Sequence, residues 1–373
     1  MDIINLFFNT YYSKYKKVII KILGKSYKIE ELNNLKRLIY TFISLFKSSN
    51  YDLAYFKTIL FKIKFNPRYY QYKNILLLII NIYLLYEHNL QEENSIDFND
   101  MINKSLKSIK EKGLKYTWKY IIIDEYQDTS LTKFNLINEI INITSAKLLV
   151  VGDDFQSIYR FTGCNLNIFL NFNKYYLDSK IFYIKNTYRN SQELIDIAGS
   201  FIMKNKQQIK KRLISSKHLT KPIKIVLTNN YISTLKKLIN RINNDNLMVI
   251  GRNNKDINNY IDKEYLIKDD LYYINNHSFR YLTIHKSKGL ESDNVIIINN
   301  EDNILGFPSK LKDEPLLKYV NNNHDIYKYE EERRLFYVAL TRTKNNVYLI
   351  APYKGMSIFI KELMKYNIEI ISD

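Results

Sequence analysis

The sequence predicts an α/β protein in which parallel sheets follow a helical opening segment. Up to about Lys119, apolar residues recur at helical spacing, as in LNNLKRLIYTFISLF and KNILLLIINIYLLYEHNL. From Tyr120 onward the period changes to short, continuous apolar runs rich in strand-forming residues. Helical stretches separate many of these runs. Strands that are apolar throughout and alternate with helices belong to a parallel sheet covered on both faces.

Within the helical part, VIIKILGKS reads as helix and Pro67 interrupts the pattern. SIDFNDMINKSLKSIKE reads as a helix opened by an acidic turn. The expected strands are YIIID, AKLLVVGD, SKIFYIK, KPIKIVLT, NLMVIGR, YLTIH, NVIIIN and NNVYLIA. NNNHD, from Asn321 to Asp325, reads as a loop.

A chain of 373 residues is long enough for two domains. With 46% hydrophobic and 25% charged residues it is globular in composition. Its single cysteine, Cys164, excludes a disulfide framework or a cysteine-rich zinc site and fits a reducing, cytoplasmic setting. No secretory signal is expected, because a basic start followed by a clean apolar run is lacking. The apolar run ILLLIINIYLLY is shorter than the roughly 20 residues of a spanning helix and is broken by Asn81, so no membrane partner is expected.

The net charge of +18 points to a polyanionic partner. An AT-biased coding sequence, which enriches Lys, Asn, Ile and Tyr, accounts for part of it. Arginine is scarce, with 11 among the 56 basic residues. Five of these (Arg160, Arg189, Arg333, Arg334 and Arg342) fall within the segments described next.

In YIIIDEYQDTS an apolar strand ends in acids. Open α/β sheets bind ligands at the carboxyl ends of their strands. Asp124 there can hold Mg²⁺ through water, and Glu125 can orient or deprotonate an attacking water. Taken alone, an acidic pair after a strand is common, and the solvated acidic turn is the favoured reading. LLVVGDDFQSIYRFTG repeats the design with Asp153 and Asp154, then Gln156, a polar group able to sense a γ-phosphate. Tyr159 and Phe161 flank Arg160, which suits base stacking with a phosphate contact; two core aromatics beside a surface arginine would look the same. NTYRN sets Tyr188 beside Arg189, TIHKSKGLESDNVIII turns at Gly289, and EEERRLFYVALTRTK reads as a helix with Arg342 near its end. Arginine suits phosphate charge in a transition state, although each of these could form a surface ion pair.

Taken in order, IDFNDMI, IIIDEYQDTS, VGDDFQSIYRFTG, TYR, TIHKSKGLE, GFPS and EERRLFYVALTRTK resemble the UvrD/Rep-type superfamily 1 DNA helicases, and most of all the helicase IV branch. The resemblance covers the chain from about Ile96 and is loose before it. It implies two RecA-like lobes, the first incomplete. Residues 1–95 would be a helical segment resembling an insertion in the first lobe, 96–178 a partial first lobe, and 179–373 the second lobe. The large additional subdomain of bigger family members is expected to be absent between Arg189 and Thr283.

The resemblance also implies an ATP-dependent DNA helicase translocating 3′ to 5′, with ATP and Mg²⁺ as cofactors and single-stranded and duplex DNA as partners. By it, Asp124 and Glu125 are the magnesium and catalytic acids and Gln156 the γ-phosphate sensor. Tyr159 and Phe161 are base-stacking aromatics. Tyr188 stacks on adenine and Arg189 contacts the γ-phosphate. Thr283 and His285 face DNA. Gly289 and Glu291 belong to the motif coupling DNA to nucleotide, Glu291 as the ribose contact. Arg342 is the arginine finger.

One part is missing. A phosphate loop follows G-x-x-x-x-G-K-[ST], and the only GKS, Gly24 to Ser26, has Ile19 where the first glycine belongs. The chain therefore reads as the C-terminal part of a helicase without its Walker A segment. Two alternatives follow: one subunit of a split helicase whose partner chain carries that segment, or an inactive single-stranded-DNA-binding remnant. Without the strand and helix that bear the loop, apolar sheet surface near YIIID and AKLLVV is expected to be bare.

Overall fold

The computed structural model describes residues 2–242, 246–274, 277–321 and 327–372. The expected NNNHD loop falls largely outside the described residues. The class is α/β as expected, and the chain divides into two compact units. The first comprises Met1–Gly152, Tyr159–Phe169 and Asp313–His324; the second comprises Asp153–Ile158, Leu170–Lys312 and Asp325–Asp373.

The first unit opens with five helices: α1 (Asp2–Leu23), α2 (Ile29–Ser48), α3 (Tyr55–Ile63), α4 (Tyr69–Glu92) and α5 (Phe98–Lys112). GKS, expected within a helix, instead forms the turn that ends α1. Gly24 takes φ +96, a conformation that terminates helices and costs glycine little, and its N–H closes on the Ile20 carbonyl at 2.8 Å. In α2, Leu32, Leu35, Ile39, Phe42, Ile43 and Phe46 fall on one stripe and are all buried. Phe46 stacks on Phe56 of α3 at 4.4 Å, and Ile59, Leu76 and Ile79 close the same core. The acidic turn predicted ahead of α5 is its cap: Asp97 Oδ1 accepts from the Asp100 N–H at 2.8 Å.

Lys47 at the end of α2 is buried and reaches Glu87, Asp97 and Asp100 at 2.6, 2.8 and 2.8 Å. Burial alone would lower its ammonium pKa, but the hydrogen bonds to Asp100, Asp97 and Glu87 outweigh burial and raise it. These contacts join the ends of α2, α4 and α5.

After the helices come β1 (Tyr120–Ile123), α6 (Leu131–Thr144), β2 (Lys147–Val150) and α7 (Leu166–Leu170). β1 and β2 pair in parallel as a two-stranded sheet, Tyr120 opposite Lys147 through Ile123 opposite Val150. This sheet is not covered on both faces: Tyr120, Ile122 and Leu149 are 67%, 71% and 56% exposed.

The second unit holds α8 (Phe172–Tyr175), α9 (Gln192–Ile202), β3 (Ile223–Thr228), α10 (Tyr231–Ile242) and β4 (Leu247–Gly251). It continues through β5 (Leu266–Lys268), β6 (Leu271–Ile274), β7 (His277–Thr283), α11 (Ile284–Ser287) and β8 (Ser292–Ile297). It ends with α12 (Glu330–Leu340), β9 (Thr343–Pro352), α13 (Ile358–Leu363) and β10 (Glu369–Ser372). Its eight-stranded sheet runs β10-β3-β9-β8-β4-β7-β6-β5. Pairing is parallel from β10 to β7 and antiparallel through β6 and β5. Every residue of β4 is buried, as a continuous apolar run in a doubly covered sheet requires. The expected strand SKIFYIK does not form; Ile181 to Ile184 lie in irregular backbone and are largely exposed.

Candidate functional site

In the first unit, the parallel strand β1 delivers Asp124 and Glu125 to its carboxyl end, where both are exposed. Asp124 Oδ1 accepts from the Glu125 N–H at 2.8 Å, and Glu125 takes a left-handed φ of +51, which turns the chain sharply off the strand. Gln127, buried, donates from Nε2 to Glu125 Oε2 at 2.5 Å and fixes that carboxylate. A side chain at Gly152 would meet Gln127 Oε1 at 2.5 Å and the Phe169 ring at 2.8 Å. The glycine ending VVG therefore leaves room for the residue that orients Glu125, a role that sequence reading gives to neither.

Tyr159 and Phe161 lie edge to face, 6.1 Å between centroids, and Phe161 is 53% exposed. Arg160 between them reaches Asp313 at 3.3 Å. Of the two aromatics, Phe161 is the more exposed.

In the second unit, Asp153 and Asp154 begin a line of polar contacts. Lys211 Nζ sits 2.5 Å from Asp153 Oδ1 and 2.6 Å from Asp154 Oδ1. Asp154, wholly buried, also accepts from Gln208 Nε2 at 2.6 Å and the Ile209 N–H at 2.8 Å. Burial alone would lower the Lys211 ammonium pKa, but the two carboxylates outweigh burial and hold it above the ordinary lysine value. Asp153 Oδ2 accepts from Gln156 Nε2 at 2.7 Å, and Gln156 Oε1 accepts from Arg342 Nη2 at 3.2 Å. Arg342 is buried, and its Nε and Nη1 donate to the Val338 and Leu290 carbonyls at 3.0 and 3.3 Å. Gln156 and Arg342, selected separately from sequence, are thus in direct contact.

Arg189 Nε donates to Glu291 Oε2 at 2.8 Å, and Lys344 Nζ approaches the other carboxylate oxygen at 3.1 Å. The Arg189 hydrogen bond, then that of Lys344, holds the Glu291 carboxyl below the usual carboxylate range. Gly289, two residues earlier, takes φ +81 in the turn before β8. Asn190, buried, ties the TYRN segment to the TRT segment through the Thr343 and Thr341 carbonyls at 2.6 and 3.4 Å. Tyr188 stands 84% exposed.

Thr283 is buried and His285 partly buried, so neither presents a broad face to solvent. Burial, then the positive charge of Arg252, lowers the His285 pKa to about 4 against a hydrogen bond with the Ile158 backbone. Arg333 and Arg334 are structural. Arg333 forks onto Glu362 at 2.7 and 3.1 Å between the Phe201 and Phe359 rings. Arg334 donates to the Ser157 carbonyl at 2.8 Å and pairs with Glu330 at 3.1 Å.

Two family descriptions fit this order of motifs. The UvrD/REP helicase N-terminal domain matches residues 5–177, and the UvrD-like helicase C-terminal domain matches residues 232–353. The chain belongs to the UvrD/Rep helicase family. DNA helicase IV of Escherichia coli is 28% identical over 291 residues, 75% of this chain and 41% of that protein. A probable DNA helicase II homolog of Mycoplasma capricolum is 30% identical over 283 residues, 67% and 37%. The ATP-dependent DNA helicase Rep of Buchnera aphidicola is 28% identical over 286 residues, 71% and 42%. The chain spans about two fifths of the length of these relatives.

The helical opening segment and the large, mostly parallel sheet agree with the RecA-like fold of UvrD/Rep helicases. Asp124 to Phe161 lie in the N-terminal family domain and Thr283 to Arg342 in the C-terminal one. Nucleotide-bound Mg²⁺ is ordinarily held by one or two carboxylates together with water and phosphate oxygens. The exposed Asp124–Glu125 pair fits that open arrangement. Among the described residues no cluster of three or more His, Cys, Asp or Glu forms a closed metal cage. The 373 residues contain no G-x-x-x-x-G-K-[ST], and the GKS at Gly24 follows a helix rather than a strand. Among the described residues no helix is long and apolar enough to cross a membrane.

Proposed function

We propose that this chain is the motor portion of an ATP-dependent DNA helicase that translocates 3′ to 5′, acting as a cytoplasmic, DNA-associated protein on single-stranded and duplex DNA. The family division 1–95, 96–178 and 179–373 is proposed with it. The observation that carries the reading is the line Asp153–Gln156–Arg342. A γ-phosphate sensor and an arginine finger must move together to link phosphate release to motion, and here the two side chains share a hydrogen bond. In this reading Asp124 and Glu125 serve Mg²⁺ and the attacking water. Tyr188, Arg189 and Glu291 serve the base, phosphates and ribose, with Gly289 turning the coupling segment. Thr283 and His285 shape the surface facing DNA, and Tyr159 and Phe161 receive its bases. ATP supplies the energy for translocation when bound.

The absence of a phosphate loop within these residues favours a second reading, a single-strand-binding chain without turnover, or one that hydrolyses ATP only with a segment supplied by another chain. Positioning supplies much of phosphoryl-transfer catalysis, and nothing in residues 1–373 matches the cradle for the β-phosphate. The test is ATPase activity with Mg²⁺ and oligothymidylate, with and without a separate segment carrying GxGKT from a close relative. The chain alone is expected to be inactive and the mixture active, with that activity abolished in Glu125→Gln and reduced about 10³-fold or more in Arg342→Ala. Equal activity in Glu125→Gln would reject the assignment of the acids. No activity in any mixture would leave the single-strand-binding reading.

A further inference from the structure

We infer that the α3–α4 corner of the helical segment is a second docking surface for single-stranded nucleic acid, separate from Tyr159 and Phe161; the inference rests on the nucleic-acid partner proposed above. From Leu53 to Tyr86 the chain has five basic residues (Lys57, Lys62, Lys64, Arg68 and Lys73) and no acidic one. The first four are exposed. Phe61, Phe65 and Tyr70 are 60%, 80% and 80% exposed and lie close together in the sequence among these cations.

Phe61 and Tyr70 stand on helices whose other sides are packed into the core. Phe56, Ile59 and Ile63 on the opposite side of α3 are buried, as are Tyr72 and Ile75 at the start of α4. Phe61 and Phe65 meet edge to face at 5.8 Å, and Tyr69 and Tyr70 are tilted at 5.3 Å. Lys64 lies over the Phe61 ring at 5.9 Å.

The arrangement of charge decides the partner. A helix lying on a membrane separates its cations from its apolar face. Here Lys57, Phe61 and Lys64, spaced by four and three, share one face as the backbone continues helically through Lys64, and Phe65 just beyond meets the Phe61 ring. Cations interleaved with exposed rings fit a flexible polyanion with flat bases, phosphates on the lysines and bases on the rings. Duplex DNA, its bases already stacked, would use the lysines and leave the rings idle.

The test is anisotropy of a labelled oligothymidylate on the full chain. Phe61→Ala with Phe65→Ala is expected to weaken binding at least about fivefold, as removal of one stacked base does. Phe61→Tyr with Phe65→Tyr is expected to retain it. Lys62→Gln with Lys64→Gln should flatten the salt dependence by about 0.7 in slope for each phosphate no longer neutralised. Unchanged affinity in the double alanine variant overturns the inference, and if Phe161→Ala still weakens binding the wider reading survives. An unaltered chain that ignores the oligonucleotide overturns both. Rings needed for anionic lipid vesicles but not for the oligonucleotide would make the corner a membrane-binding face and overturn the inference.

Discussion

Asp154 is wholly buried, and a buried carboxylate is tolerated only while paired. Its partner, Lys211, lies 57 residues away in a stretch without a distinguishing pattern, so the sequence shows an acidic strand end and hides what neutralises it. Lys211→Met should therefore cost about 3–5 kcal/mol in urea unfolding, the penalty for leaving buried charge uncompensated. Adding Asp154→Asn should recover part of that deficit; a single variant as stable as the parent would show the cluster to be loosely packed. Gln156 and Arg342 are legible individually because their motifs are distinctive, but their hydrogen bond depends on folding and is not. His285 yields a pH prediction. Its folded value of about 4 lies below the ordinary 6.5, so the unfolded chain binds more protons between them. Its contribution is complete above about pH 6.5 and is lost as pH falls towards 4, by up to about 3 kcal/mol. Comparing unfolding free energies of the parent and His285→Gln from pH 7 to 4 isolates this. Parallel curves would count against it.

At the level of elements, strand composition alone does not decide which runs become strands. SKIFYIK has the residues of a strand, yet Ile181 to Ile184 pair with no sheet and stay largely exposed. A strand needs a neighbouring edge as well as a suitable composition, and no periodicity reports whether that edge exists. The converse occurs at β5 and β6. YLIKDDLYYI lies outside the runs expected as strands, but Asp269 and Asp270 both take positive φ, 51 and 61, the two left-handed residues of a tight hairpin. Asp-Asp signals such a turn less strongly than Asp-Gly. β1 and β2 form from runs that read as doubly covered strands, while the lack of a phosphate loop argues for the bare apolar residues they in fact present. With two strands and bare side chains, this sheet should open locally more readily than the eight-stranded one. Amides of Ile121, Ile123 and Leu148 are expected to exchange about tenfold or more faster than those of Val249, Ile296 and Leu349. Equal, high protection in both sheets would count against this, as would slower aggregation of the parent than of Ile122→Lys at matched concentration.

At the scale of the whole molecule, a net charge of +18 does not itself locate a polyanion. Several cations are already committed within the units: Lys47 to three carboxylates, Lys211 to two, Arg252 to Glu332 and Arg333 to Glu362. Those pairs cancel locally and release no counterions when DNA binds. Only cations standing in solvent do so, and the acid-free run from Leu53 to Tyr86 supplies four of them: Lys57, Lys62, Lys64 and Arg68. Salt dependence should consequently be far shallower than the formal charge suggests. If four phosphates are neutralised at the α3–α4 corner, the slope of log affinity against log salt is about −2.8, or about a 50-fold weakening between 50 and 200 mM. Phosphates held elsewhere would steepen it, but a slope near that of 18 neutralised phosphates would mean that paired lysines leave their carboxylates on binding. Measuring the slope for the parent, for Lys62→Gln with Lys64→Gln, and for Lys211→Gln distinguishes the two cases. The corner variant should flatten the slope while Lys211→Gln leaves it unchanged, because an ammonium neutralised inside the fold has no counterion to give up.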